Sequence, residues 1–272
     1  MIADTSFSSA KLYRADFERA LFCQNVQFSI SDVRSASFRY VAFDGSHVPR
    51  FNGTAWWLGV GWSMQQIQSL AAQSSGVSYK GTPAFKDEMQ YYEKLLSAAP
   101  EATLARATAL NGKAWALATY GIDLADAERL SQESLTIVRR RAEKPDEPGS
   151  LVREEANDID TLAYIQMQAG KMSEALENLK AAVQKVQGHE PTFRNAMIFR
   201  YAVAQFATGQ RDEAIRNLKL AVDTLQYVPS HEMYLLRKHI KDEFLTNLES
   251  LMSKNFPISA PPPTACSANV PG

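Results

Sequence analysis

Cysteine is almost missing from this chain. Cys23 and Cys266 stand near opposite ends of the 272 residues, which argues against a disulfide and for a reducing compartment. Long hydrophobic runs are missing too. The stretch "TAWWLGVGW" from Thr54 to Trp62 is far too short to cross a bilayer, and the start lacks the basic and apolar regions of a secretory signal. Nor is there an excess of one charge. Twenty-nine Lys and Arg against 30 Asp and Glu leave a net charge of -1, which sets aside a nucleic-acid backbone or an anionic membrane as main partner. A cytoplasmic protein is expected.

Catalytic and metal-binding patterns are equally scarce. His47, His189, His231 and His239 have no metal-ligand spacing to a cysteine or a second histidine. His231-Glu232 opens like a zinc-protease motif, but Leu235 stands where the second histidine belongs. No nucleophile elbow or phosphate loop occurs, and "GVGWS" lacks the third glycine of a dinucleotide fingerprint. Glu154, Glu155, Asp158 and Asp160 read as a solvated acidic helix face. No enzyme, catalytic residue, metal or cofactor is expected.

What the chain does have is a period of five. In "AKLYRADFERALF", Ala10, Ala15 and Ala20 each stand two residues before a large apolar one: Leu12, Phe17 and Phe22. Phe7 precedes the series. After a one-residue slip near Asn25 it continues through Phe28, Val33, Phe38, Phe43 and Val48. A helix repeats every 3.6 residues and a strand every 2, so neither carries this pattern. It suits a square coil in which each five-residue side turns one large and one small residue inward, with stacked coils pairing at strand-like spacing. This resembles the pentapeptide-repeat family over roughly residues 6–48. The resemblance implies a short right-handed quadrilateral β-helix. Trp56, Trp57 and Trp62, set among Gly53, Gly59 and Gly61, are expected to plug its end.

Helices follow. Ser63 and Gln66 form a capping box for a helix over 64–73. Thr82-Pro83 opens another over 83–98, with Phe85, Met89, Tyr92 and Leu96 as its apolar stripe. Residues 159–183 and 198–222 align on their glycines. "GKMSEALENL" and "GQRDEAIRNL" share alanine five residues after the glycine (Ala175, Ala214) and leucine nine after it (Leu179, Leu218). A weaker copy, with Ala114 and Gly121, spans 110–135. This resembles the tetratricopeptide repeat, a helix–turn–helix unit. A final helix is expected over 230–254, with a disordered Pro-rich tail after it.

The expected fold is therefore α+β: a β-helix over 1–50, a Trp-rich cap with connecting helices over 51–100, and an all-α superhelix over 101–254, then the tail over 255–272. The tetratricopeptide resemblance implies that the first helix of each repeat lines a concave groove. The positions that carry over are Asn111, Trp115, Asp160, Tyr164, Met167, Phe199, Val203 and Phe206. The expected function is a non-catalytic adaptor, bacterial by its family resemblance, that binds a peptide or partner protein in this groove. Self-assembly into a homodimer through the β-helix end, and service as a regulatory subunit of a separately encoded enzyme, are the other readings.

Overall fold

The computed structural model describes residues 1–44, 47–74, 79–143, 151–188, 191–223, 225 and 229–255. These fall into two compact units. One takes in the described residues of 1–86, 226–234 and 252–272, and the other those of 87–225 and 235–251.

The α+β expectation needs correction. Most of the described residues are helical, and the sheet consists of two parallel two-residue strands, β1 (Leu21–Phe22) and β2 (Ala42–Phe43). No closed β-helix is present among the described residues, so the fold is not a β-helix followed by a helical array. The physical reason is visible in the backbone. Asp4, Ser9, Arg14, Arg19, Asn25, Ile30, Ser35 and Tyr40 all have positive φ. The period of five is thus a series of left-handed corners. Each corner turns the chain before a strand can lengthen, which leaves isolated bridges such as Lys11 to Asp32 and Asp16 to Ser37.

The turns stack nonetheless. The amides of Phe7, Leu12 and Phe17 donate to the carbonyls of Gln27, Asp32 and Ser37 at 2.7–2.8 Å. Two ring columns run through the stack. Phe7, Phe28 and Phe51 lie at centroid spacings of 4.9 and 4.7 Å. Phe17, Phe38 and Trp62 lie at 5.1 and 4.0 Å. Phe22, Phe28 and Phe38 are wholly buried, whereas Phe7, Leu12 and Phe17 are only half-buried. Trp56 and Trp57 are buried as well, Trp57 stacking 4.2 Å from Tyr234. Trp56, Trp57 and Trp62 are core. Gly61 has φ +90°, and a Cβ there would sit 2.5 Å from Arg39 Cγ. Cys23 is buried. Cys266 lies outside the described residues.

Helix α1 (Met64–Gln73) carries the expected capping box of Ser63 and Gln66. Helix α2 spans Pro83–Ala98. Phe85 of its stripe is buried, while Met89, Tyr92 and Leu96 are half-buried. Six helices then form three hairpins: α3 (Leu104–Tyr120) with α4 (Leu124–Ala142), α5 (Val152–Gln168) with α6 (Met172–Lys185), and α7 (Pro191–Ala207) with α8 (Arg211–Val222). Gly121, Gly170 and Gly209 turn each hairpin with positive φ. Ala114, Ala127, Ala163, Ala175, Ala202 and Ala214 are fully buried where the paired helices approach. Between the first two copies, α4 runs to Ala142 and α5 starts at Val152.

The last expected helix is broken. It forms α9 (Ser230–Leu235) and α10 (Asp242–Asn255). Between them the amide of His239 donates to the carbonyl of Leu236 at 2.8 Å, and Leu236 is fully buried. No glycine or proline marks this turn. The expected disordered tail lies outside the described residues, apart from Asn255 at the end of α10.

Candidate functional site

One helix from each hairpin contributes to a cleft of about 590 Å³. Its walls are the N-terminal halves of α3, α5 and α7, and its lining includes Thr108, Asn111, Trp115, Asn157, Phe193 and Arg200. Three of the eight expected groove residues, Asn111, Trp115 and Asp160, face this space. Asn111 is 5% exposed, and its Oδ1 has no hydrogen-bond partner.

The other five lie elsewhere. Tyr164 is fully buried 5.1 Å from the Trp115 ring. Met167 and Val203 are buried in the packed halves of α5 and α7. Phe199 and Phe206 are buried 6.2 and 5.5 Å from Phe244 of α10. The chain's own α10 therefore covers part of the surface that repeat resemblance assigned to a ligand.

Arg200, which the sequence reading did not single out, organises the cleft. Its Nη1 lies 2.6 Å from Asp160 Oδ2, both side chains being 8% exposed. Its guanidinium also sits 5.0 Å from the Trp115 ring centroid and 5.6 Å from that of Tyr164. A buried carboxylate requires such a partner. The signal was in the sequence: Arg200 is the one charged residue in "MIFRYAVAQF", and Asp160 occupies the corresponding helix of the preceding repeat.

The acidic run is not a solvated face. Glu154 is exposed, but Asp158 and Asp160 are buried. Glu155 ties three helices together, bonding Arg139 of α4 at 3.0 Å and Lys185 of α6 at 2.8 Å. Burial opposes its charge, yet these two cations hold its carboxyl below the ordinary 4.5. Among the described residues Asp158 has no such cation. Burial pushes its carboxyl up to about 7, the charges of Glu154 and Glu155 push the same way, and the hydrogen bond with Ser134 opposes them.

Among the described residues no cluster of three His, Cys, Asp or Glu could hold a metal ion, and no helix is long and apolar enough to cross a membrane. Compared with family models and with curated proteins, the chain matches none.

Proposed function

We propose that this chain is a non-catalytic binding module, and that the cleft across α3, α5 and α7 receives a peptide segment of a partner protein. The observation that carries this reading is the repetition. Successive hairpins present the same helix to one continuous space, and that space mixes aromatic rings (Trp115, Phe193) with amides and hydroxyls (Asn111, Asn157, Thr108). Such a lining suits an extended chain that offers both main-chain polar groups and apolar side chains. The likeness to tetratricopeptide repeats in residues 110–135, 159–183 and 198–222 supports it.

The test is capture from native lysate followed by calorimetry with the captured partner's peptide. Thr108 and Asn157 are exposed and line the cleft, so Thr108→Arg/Asn157→Arg obstructs it without disturbing the core. A loss of affinity of about tenfold or more is expected. Unchanged affinity in a folded variant sinks the reading.

A second reading rests on the half-buried Phe7, Leu12 and Phe17. That apolar end of the stacked turns would bury itself against a second copy. Light scattering on wild type and on Leu12→Glu decides it: a wild-type monomer excludes this reading.

A further inference from the structure

At the base of the cleft two oxygen–oxygen contacts compete for protons. Ser134 Oγ lies 2.6 Å from Asp158 Oδ2 and 2.7 Å from the main-chain oxygen of Ala107. Both distances are those of hydrogen bonds between oxygens. Each bond needs a proton. The hydroxyl supplies one, and a carbonyl supplies none. If Ser134 donates to Ala107, the proton in the other contact must come from the carboxyl group. If Asp158 were ionised, Ser134 would have to donate to it, and lone pairs would face each other across 2.7 Å.

We propose that Asp158 is a neutral carboxylic acid that donates to Ser134, and that its ionisation is a proton-operated latch releasing α3 from α4 and α5 beneath the cleft. The chain of donation runs from Asp158 of α5 to Ser134 of α4 to Ala107 of α3, so a single proton links three helices. Asp158 is 4% exposed, and an anion there is costly to bury.

The surrounding charges favour the neutral form. On its own helix stand Glu154 and Glu155, both of which oppose a further negative charge. From α4 come the hydroxyls of Ser131 and Ser134; Ser131 Oγ donates to the Asp158 main-chain oxygen. Arg139 of α4 and Lys185 of α6 are engaged with Glu155. From α3, Arg106 lies 3.8 Å from Glu133, and Asn111 brings only an amide. Arg200 of α7 is held by Asp160. Among the described residues no cation bonds Asp158. The rise of its carboxyl to about 7 agrees with the proton count and puts the latch within reach of modest changes in pH.

The sign follows from linkage. The folded chain holds this proton more tightly than the unfolded chain does. The contribution is fullest below the ordinary carboxyl value of 3.8, declines as pH rises towards 7, and is flat above.

The first measurement is a carbon-13 titration of the Asp158 carboxyl in the wild-type chain, assigned through its backbone. A midpoint near 7 is expected, and one near 4 overturns the proposal. The second compares wild type with Asp158→Asn, whose amide can donate to Ser134 at every pH. Wild-type stability should fall relative to Asp158→Asn between about pH 5 and pH 7, and parallel curves overturn the proposal. The third is amide exchange over 104–142, corrected for its intrinsic pH dependence. Wild type should exchange several-fold faster than Asp158→Asn at about pH 8 and equally at about pH 5. Equal exchange at both refutes the release of α3. Should Asp158→Asn fail to fold, the wild-type titration still decides the protonation state, and wild-type exchange at the two pH values decides the release.

Discussion

Ile30 sits at a left-handed corner with φ 59° and is 48% exposed. For a β-branched residue this conformation is disfavoured, by about 1–2 kcal/mol. Asn tolerates it better. Ile30→Asn should therefore raise stability by about 1 kcal/mol in urea denaturation, and a loss would show that the Ile30 side chain packs more than its exposure suggests. Arg200 illustrates a different point. Arg200→Met strips the cation from the buried Asp160 and should cost about 3–5 kcal/mol, while Arg200→Met/Asp160→Leu should recover most of the loss. Additive losses in that double-mutant cycle would mean that the two charges are not coupled. At this scale the sequence was a poor guide. Arg14, Arg19, Ile30 and Tyr40 carry no local sign of a left-handed corner; only the stacking of one turn on the next imposes it.

Elements were far more legible. The capping box of α1, the proline start of α2 and the glycine turns of the hairpins stand where local chemistry puts them, because each depends on a few neighbouring residues. The two strong copies also share a bond between their helices. Asn178 donates to Gln166, and Asn217 donates to Gln205, at 2.8 and 2.7 Å. The break between α9 and α10 was not legible, since Met233, Leu236, Ile240 and Phe244 keep a helical spacing through it. Glu155 gives a test at this scale. Its lowered carboxyl means stability that is present above the ordinary 4.5 and lost as pH falls through the folded value. Glu155→Gln should lower stability at neutral pH by about 1 kcal/mol and converge with wild type in acid. A constant difference across pH would assign the loss to packing instead.

Across the whole molecule, burial decides which repeat positions can meet a ligand. Phe206→Glu would place a charge against Phe244 of α10 and should unfold the second unit, seen as lost helical circular dichroism. A folded Phe206→Glu variant would show that α10 can leave that surface. Obstruction at Thr108 and Asn157 should instead leave the fold intact and alter only binding.

The sequence by itself determined the five-residue period, the ends of α1 and α2, and the three hairpins with their alanine seams. All of these follow from contacts close along the chain or from exact repetition of residue type. Tertiary structure decided the rest. It turned the five-residue units into corners with single bridges rather than strands. It folded α10 onto Phe199 and Phe206. It brought Asp160 to Arg200, and Asp158 to Ser134 and Ala107. These outcomes depend on which distant side chains share a low-dielectric interior, and a charge or hydroxyl carries no mark of its partner in a linear sequence.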